Sequence, residues 1–156
     1  MKPVVPLSID DSSIMADLHA AAFATGEAWA LSAFADLLKL PTTYARGMMD
    51  RAELLSFAVV QFVAGEAEIL TLATAPSARQ QGCARAILQS IEHELAEHGL
   101  EKWLLEVAAD NAGALQFYRQ LGFKIDGERR NYYKRLEGAY VNAILMSKPA
   151  GRQAPA

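Results

Sequence analysis

Residues 71–99 read as the end of a strand, a loop and a helix, and this unit constrains the fold more than any other stretch. A β-favouring apolar run over residues 67–75 ends at Pro76. Apolar residues then recur at the spacing of one helix face, at Ala84, Ile87, Leu88, Ile91 and Leu95. The hexapeptide RQQGCA at residues 79–84 is therefore predicted to be a strand-to-helix loop.

This loop is suited to binding an anion. The first N–H groups of a helix lack intrahelical partners, and the helix dipole adds about half a positive charge there. Gly82 allows a ligand to approach the backbone closely, and Arg79 and Arg85 add positive charge. The P-loop pattern is absent, and so is the dinucleotide pattern, since the next glycine after Gly82 is Gly99. The sequence therefore predicts a loop for another diphosphate.

Composition limits the class of protein. With 156 residues, 52% of them hydrophobic, the chain can bury a sizeable core, and we expect one domain over residues 1–149 with a flexible tail over 150–156. A net charge of −3 lacks the basic surplus used in nonspecific nucleic-acid binding, so no direct nucleic-acid partner is expected. A single cysteine, Cys83, excludes an internal disulfide and suits a reducing compartment. No run approaches the ~20 apolar residues that span a bilayer, and the expected location is the cytoplasm.

The hydrophobic pattern predicts a mixed α/β chain. The predicted helices are one containing Ile14 to Ala22 that breaks at residues 25–27, then 29–40, 83–98, and a short one through Gln120 capped by Asp110 or Asn111. The predicted strands are 4–9, 44–48, 52–63, 67–75, 100–108, 123–125 resuming at 129–134, and 139–146. Residues 147–156 are poor in core side chains and are predicted to fray.

Two polar side chains in apolar elements are candidates for proton transfer. Glu106 lies on the face of its predicted strand opposite to Trp103 and Val107, so its carboxylate points either into a cleft or to solvent. A carboxylate in partly dry surroundings can serve as a general base. Tyr118, on the short helix, is either an aromatic core residue or a proton donor. The residues alone leave both alternatives open.

A family resemblance covers residues 66–149. The pattern [Q/R]-x-x-G-x-[G/A], matched by Arg79, Gly82 and Ala84, resembles the coenzyme A pyrophosphate loop of the GNAT superfamily of N-acetyltransferases. The elements behind it resemble those of the RimI-like members, which are bacterial ribosomal-protein-alanine N-acetyltransferases. In this chain they are Leu105-Glu106-Val107, Asn111 with Ala114, Tyr118 with Leu121-Gly122-Phe123, and RRNYY at residues 129–133.

The resemblance implies a fold and a set of roles. The fold would be of the α+β type, with a mixed, mostly antiparallel central sheet of about seven strands flanked by about four helices. Glu106 would be the proton acceptor and Tyr118 the proton donor. The acetyl-CoA contacts would be Leu72, Ala73, Thr74, Arg79, Gln80, Gln81, Gly82, Cys83, Ala84, Arg85 and Asn111. No metal is expected, since His19, His93 and His98 do not form a ligand cluster.

The implied reaction is direct transfer of an acetyl group from acetyl-CoA to the α-amine of a protein N-terminus, with an alanine-start ribosomal protein as the expected acceptor. At pH 7 about a tenth of α-amines are neutral, against roughly 0.04% of lysine amines, so a general base deprotonates an α-amine more easily. Two alternatives remain: a small-molecule amine such as a polyamine or an aminoglycoside, and a non-catalytic acyl-CoA-binding module that regulates a partner. Cys83 is disfavoured as an acyl carrier because it lies in the diphosphate loop.

The sequence departs from the family's pattern in three places. Ala84 stands where glycine is usual, Ala75 where an aspartate is usual, and Trp29 is all that is kept of a proline-tryptophan-serine element in the N-terminal half. That half supplies much of the acceptor groove in the family. Residues 129–134 are basic with interleaved aromatics, a composition that is compatible with RNA binding or with a solvated strand edge. The resemblance implies instead that they flank the peptide groove.

Overall fold

The protein is described by a computed structural model that covers residues 2–23 and 28–151. Its helices are α1 (Ser12–Ala22), α2 (Leu31–Leu38), α3 (Cys83–Ala96) and α4 (Ala112–Gln120). Its strands are β1 (Val4–Pro6), β2 (Thr43–Asp50), β3 (Glu53–Val63), β4 (Glu66–Thr74), β5 (Lys102–Ala108), β6 (Lys124–Lys134) and β7 (Tyr140–Pro149). None of the helices in these two ranges has the length and apolar character needed to cross a bilayer.

The strands of the described ranges form one seven-stranded sheet in the spatial order β1-β2-β3-β4-β5-β7-β6. Neighbouring strands are antiparallel except β4 and β5, which are parallel. A parallel pair needs a crossover connection, and α3 supplies it. The predicted mixed, mostly antiparallel sheet flanked by helices is therefore confirmed.

Some element boundaries differ from the sequence prediction. The first strand ends at Pro6, because a 3₁₀ turn occupies Ile9–Asp11 before α1. The predicted interruption between residues 125 and 129 is absent: β6 is one exposed strand whose irregular stretches are held in the sheet by pairing with β7. Ser147 pairs with Leu104 and Lys124, so β7 continues to Pro149 where a tail was predicted. The predicted break at 25–27 and the tail at 152–156 lie outside the described residues.

The core lies around β3, where Phe57, Ala58, Val59 and Val60 are fully buried. Ile87, Ile91 and Leu95 of α3, spaced on one helix face, are likewise inaccessible to solvent. Phe34 of α2 packs edge-on against Phe57 with 5.6 Å between ring centroids. Burial of one such side chain contributes about 1.5–3 kcal/mol. This packing fixes the helices against the strands that carry the polar residues described below.

A β-bulge in β4 opens the sheet. Val59 pairs with Thr71 and Val60 with Ile69, so Leu70 has no partner on β3. The parallel pairing of β4 with β5 ends at Ile69 and Leu105. A bulge bends its strand and increases the local twist, which explains why the two strands separate beyond this point. The C-terminal ends of β4 and β5 therefore border a cleft.

His19 joins three elements beside this cleft. Its side chain is 1% exposed, and the Phe23 ring stacks on it with 4.3 Å between centroids. The Trp29 backbone N–H donates to His19 Nδ1 at 3.0 Å, and His19 Nε2 lies 2.8 Å from Thr71 Oγ1. Burial lowers the pKa of His19 from 6.5 to about 4. The imidazole is therefore neutral, and because Nδ1 accepts, its hydrogen resides on Nε2.

We expect folding stability to depend on pH through His19. Because its pKa is about 4 in the folded chain and 6.5 in the unfolded chain, the unfolded chain binds a proton more readily between these values. The stability provided by neutral His19 is thus fully present above pH 6.5 and is lost as the pH falls toward 4, by up to about 3 kcal/mol. Urea unfolding at about pH 7 and about pH 4.5 measures this loss.

The substitution His19→Gln should remove the part of the pH dependence of stability that comes from His19. The difference in unfolding free energy between the two pH values should then be about 2–3 kcal/mol smaller than in the wild type. His93, exposed on α3, is the matched control, and His93→Gln should keep the wild-type pH dependence. An unaltered pH dependence in His19→Gln would show that another group is responsible.

Candidate active site

The loop that precedes α3 presents its backbone to a ligand. Gln80 and Gly82 have positive φ angles of 61° and 80°, so the chain turns sharply into the helix. Gly82 is the N-cap residue and provides no side-chain cap. The first N–H groups of α3, those of Cys83, Ala84 and Arg85, have no intrahelical partners and border a groove. The predicted strand-to-helix loop is confirmed, and its geometry fits an anion.

This groove, which we call the long groove, has a volume of about 1440 Å³ including its open mouth, and it runs from the loop to α4. On the loop side it is lined by Arg79, Gln80, Gly82, Cys83, Ala84 and Arg85. Opposite these, α4 contributes Gly113, Gln116 and Phe117, and the end of β4 contributes Leu72 and Thr74. The groove therefore joins the anion-binding loop to the separated end of β4.

A second cavity, which we call the inner cavity, has a volume of about 600 Å³ including its opening and lies between α1, β4, β5 and α4. Glu106 and Tyr118 both line it, so the structure brings the two predicted proton-transfer residues together. Its remaining lining combines aromatic and apolar residues with polar ones, and includes Phe23, Trp29, Leu72, Val107, Ala114, Tyr133, His19, Thr71 and Asn111. Leu72, Ala114 and Tyr118 border the long groove as well, so the two spaces meet at these residues.

Tyr118 lies at this meeting point and is only 6% exposed. Its ring packs edge-on against Phe117 and Phe123, with centroids 5.3 Å and 5.4 Å away. Burial raises the pKa of Tyr118 well above its usual value of 10. The phenol therefore stays protonated at neutral pH, which suits a proton donor and excludes a resting phenolate.

Glu106 forms an ion pair that the sequence did not indicate. Its carboxylate Oε1 lies 3.1 Å from Nε of Arg129 on β6, and the two side chains are 21% and 56% exposed, respectively. Arg129 in turn lies over the Tyr132 ring, 5.6 Å from its centroid. Burial and the neighbouring Glu106 charge raise the pKa of Glu68 on β4, whereas Arg129 lowers it. Glu106 thus belongs to a cluster of two carboxylates and one guanidinium.

The remaining predicted cofactor residues lie in different environments. Asn111 caps α4, since its Oδ1 accepts a hydrogen bond from the Ala114 N–H at 3.1 Å, and it lines the inner cavity. Ala73 is 2% exposed and borders a side groove next to Thr74. The Gln81 side chain donates to the Ser77 carbonyl at 3.1 Å and does not line the long groove. Most of the predicted cofactor residues therefore line the long groove or the spaces beside it, whereas Gln81 lines none of these spaces.

A second ion pair holds the chain segment after β6. Arg135, 5% exposed, donates from Nε to Asp110 Oδ2 at 2.9 Å, and its guanidinium lies over the Tyr133 ring at 5.8 Å. The hydrogen bond from Arg135 lowers the pKa of Asp110. Because Asp110 directly precedes Asn111, this pair ties the β6–β7 hairpin to the start of α4. The hairpin is thereby held beside the inner cavity, where Tyr133 contributes to the lining.

Comparison with known proteins agrees with this geometry. A family model described as the acetyltransferase (GNAT) family matches residues 14–123. The ribosomal protein bS18-alanine N-acetyltransferase of Escherichia coli K12 is 36% identical over 102 residues, which are 65% of this chain and 68% of that protein. The N-alpha-acetyltransferase RimI of Mycobacterium tuberculosis is 30% identical over 145 residues, which are 90% of this chain and 88% of that protein.

A solved structure shows the same fold. The crystal structure of the ribosomal-protein-S18-alanine N-acetyltransferase from Escherichia coli aligns with a TM-score of 0.87 and 28% identity, over 99% of this chain and 97% of that one. The fold expected from the resemblance is thereby confirmed. Because the family model matches more than half of the sequence, the chain belongs to the GNAT family of acetyltransferases and is an acetyl-CoA-dependent N-acetyltransferase.

Proposed function

We propose that this enzyme acetylates the α-amine of a protein N-terminus, with an alanine-start ribosomal protein as acceptor, and that it acts in the cytoplasm. The observation that carries the proposal is the junction at Tyr118 between the long groove and the inner cavity that holds Glu106. Relatives named for acetylation of ribosomal protein bS18 on alanine support the acceptor class. The free thiol of Cys83 fits a reducing compartment.

The lining of the long groove fits the chemistry of acetyl-CoA. The uncapped start of α3 and Arg79 and Arg85 would hold the diphosphate. Within residues 2–23 and 28–151, the edge of β4 that faces β5 has no strand partner beyond Ile69, although its other edge pairs with β3. The amides of the pantetheine arm can hydrogen-bond to that edge much as an added strand would. The arm would then place the thioester near Leu72, where the groove opens into the inner cavity.

The proposed reaction is a direct attack in a ternary complex. Glu106 removes a proton from the acceptor ammonium through a water molecule, and the neutral amine nitrogen forms a bond to the acetyl carbon. The carbon–oxygen π electrons move to the carbonyl oxygen, then return as the carbon–sulfur bond breaks. Tyr118 gives its proton to the departing thiolate and is reprotonated by the proton that the new amide nitrogen loses. One proton per turnover leaves with Glu106 for solvent.

The lining of the inner cavity favours a small, uncharged first side chain. Phe23, Trp29 and Val107 provide apolar and aromatic walls close to Glu106. A methyl group can be buried against such walls without a polar partner, whereas a charged side chain would lose hydration. An N-terminal alanine therefore fits this cavity, and its α-amine is partly neutral at physiological pH.

Substitution of the two proton-transfer residues should slow turnover. We expect Glu106→Gln and Tyr118→Phe each to lower kcat by about 10²–10⁴-fold, because each removes one proton transfer. The affinity for acetyl-CoA, measured by calorimetry, should stay within about threefold of the wild type because neither group holds the diphosphate. Release of coenzyme A with an alanine-start hexapeptide measures kcat.

Exposed residues of the same types provide matched controls for this experiment. Glu97, at the end of α3, and Tyr140, at the start of β7, are exposed. Glu97→Gln and Tyr140→Phe should therefore retain wild-type kcat. Unchanged turnover in both Glu106→Gln and Tyr118→Phe would remove the roles assigned to these residues.

A glycine at each end of α3 allows the diphosphate site to be tested. Gly82 and Gly99 have φ angles of 80° and 84°, so an alanine at either costs about 1 kcal/mol of stability. Gly82→Ala should also weaken acetyl-CoA binding by about tenfold or more, because its Cβ obstructs the anion at the helix start. Gly99→Ala should lose similar stability and keep wild-type affinity. Equal affinities in the two variants would place the diphosphate elsewhere.

The acceptor can be identified by direct competition. We expect an alanine-start peptide to be acetylated on its α-amine at least about tenfold faster, in kcat/KM, than spermidine or an aminoglycoside. Mass spectrometry of the product locates the acetyl group. Faster acetylation of the small amines would favour the hypothesis that the acceptor is a small-molecule amine. Stabilisation by acetyl-CoA without turnover on any amine would instead favour a non-catalytic binding module.

A further inference from the structure

One hydrogen-bonded pair that faces the reaction cavity has no role in the mechanism above. His19 of α1 and Thr71 of β4 both line the inner cavity together with Glu106 and Tyr118. They are 52 residues apart in sequence, and their side chains are 1% and 8% exposed. Burial of polar side chains costs free energy unless they form hydrogen bonds. The hydrogen bonds of this pair therefore show which atoms donate and which accept.

The hydrogen bonds of His19 fix the direction of the proton between the two side chains. Nδ1 of His19 accepts from the Trp29 N–H at 3.0 Å, which places the imidazole hydrogen on Nε2. Nε2–H therefore donates to Thr71 Oγ1 across 2.8 Å. A threonine hydroxyl can accept and donate at the same time. Since Thr71 accepts from His19, its own hydroxyl hydrogen is left to donate to another group.

Within residues 2–23 and 28–151, the Thr71 hydroxyl forms its hydrogen bond with His19. Thr71 directly follows the bulged residue Leu70 and directly precedes Leu72, where the long groove meets the inner cavity. A thioester whose arm follows the edge of residues 72–74 toward Glu106 would bring its carbonyl group to this position. Thr71 thus lines the cavity near the point where a carbonyl oxygen is expected.

We propose that Thr71 is a further catalytic residue whose hydroxyl donates a hydrogen bond to the acetyl carbonyl oxygen, and that His19 is its positioning residue. This inference rests on the proposed acetyl transfer. The carbonyl oxygen gains negative charge when the amine nitrogen bonds to the acetyl carbon, and it loses that charge when the carbon–sulfur bond breaks. A donor fixed in advance stabilises this charge, and loss of one such donor in acyl transfer costs about 10²–10³-fold in rate.

His19 orients the donor because its ring hydrogen is fixed on Nε2. Were Nε2 to lack its hydrogen, the Thr71 hydroxyl would have to donate to His19 and would be lost to the substrate. The Trp29 N–H prevents this, because it donates to Nδ1 and so leaves the hydrogen of the neutral ring on Nε2. Burial, which lowers the pKa of His19 to about 4, keeps the ring neutral and Nδ1 able to accept that bond. The segment that contains Trp29 therefore determines, through one imidazole, which way a hydroxyl on β4 points.

The tautomer of His19 can be tested without any substrate. Nitrogen-15 NMR of the histidine-labelled enzyme near pH 7 should show a neutral His19 with hydrogen on Nε2, in the free enzyme and with acetyl-CoA. His19→Gln assigns the signal. A hydrogen on Nδ1, or an imidazolium, at this pH would overturn the proposal, whatever reaction the enzyme catalyses. This measurement is therefore independent of the proposed function.

Three substitutions then test the hydroxyl itself. Thr71→Ser keeps the hydroxyl, Thr71→Cys replaces it with a weaker donor, and Thr71→Val removes it while keeping the shape. We expect kcat to fall by about 10²-fold in the Cys and Val variants and to stay within about threefold in the Ser variant, with KM for acetyl-CoA unchanged in all three. If Thr71→Val fails to fold because His19 loses its acceptor, the comparison of kcat between Thr71→Ser and Thr71→Cys tests the role of the hydroxyl.

A vibrational measurement distinguishes a contact with the carbonyl from a structural effect. The carbonyl stretch of bound acetyl-CoA, labelled with carbon-13 at the acetyl carbon, should lie at lower frequency in the wild type and Thr71→Ser than in Thr71→Cys. Equal frequencies, wild-type kcat in Thr71→Cys, or equal losses in the Ser and Cys variants would each overturn the proposal. Absence of peptide acetylation by the wild type would contradict the proposed function. The NMR and vibrational results would still test whether Thr71 donates a hydrogen bond to the acetyl carbonyl.

Discussion

The separation of β4 from β5 is the feature on which the site depends. The bulge at Leu70 ends the parallel pairing at Ile69 and Leu105, while β3 continues to pair with β4 through Thr74. The backbone edge of β4 that no strand of the described part of the chain pairs with can be used by a ligand, and the cleft lies beside the start of α3. A regular β4 would pair with β5 along its full length, and Leu72 and Glu106 would then lie in a closed sheet.

Polar contacts between distant elements shape the walls of this cleft. His19 and Thr71 join α1 to β4, Glu106 and Arg129 join β5 to β6, and Arg135 and Asp110 join the β6–β7 hairpin to α4. Each contact is partly or wholly shielded from water, so removal of one partner leaves a group that no longer has the hydration it lost on folding. Such contacts specify one arrangement of loops around the cavity.

The sequence predicted local features well and distant contacts poorly. The loop at residues 79–84 and the helix that follows are set by neighbouring residues and were predicted in place, and the cap of α4 is Asn111, one of the two residues predicted for it. The continuity of β6 was missed because most of its side chains are exposed and show no hydrophobic alternation, so its pairing with β7 determines the strand. The contacts of Glu106 with Arg129 and of His19 with Thr71 depend on the order β4-β5-β7-β6 and on the position of α1, which spacing along the chain does not encode.

The two spaces also bear on how the acetyl group reaches the amine. Cys83, the sole thiol of the chain, lines the long groove at the start of α3, and its Sγ is directed to the Ala78 carbonyl at 3.9 Å. Glu106 lines the inner cavity and not the long groove. An acyl-cysteine would form at the end of the groove proposed for the diphosphate, away from Glu106, the proposed base. Direct attack needs only that the thioester and the amine meet at Tyr118, where the groove and the cavity join. The arrangement of these spaces therefore favours a ternary complex over a covalent intermediate.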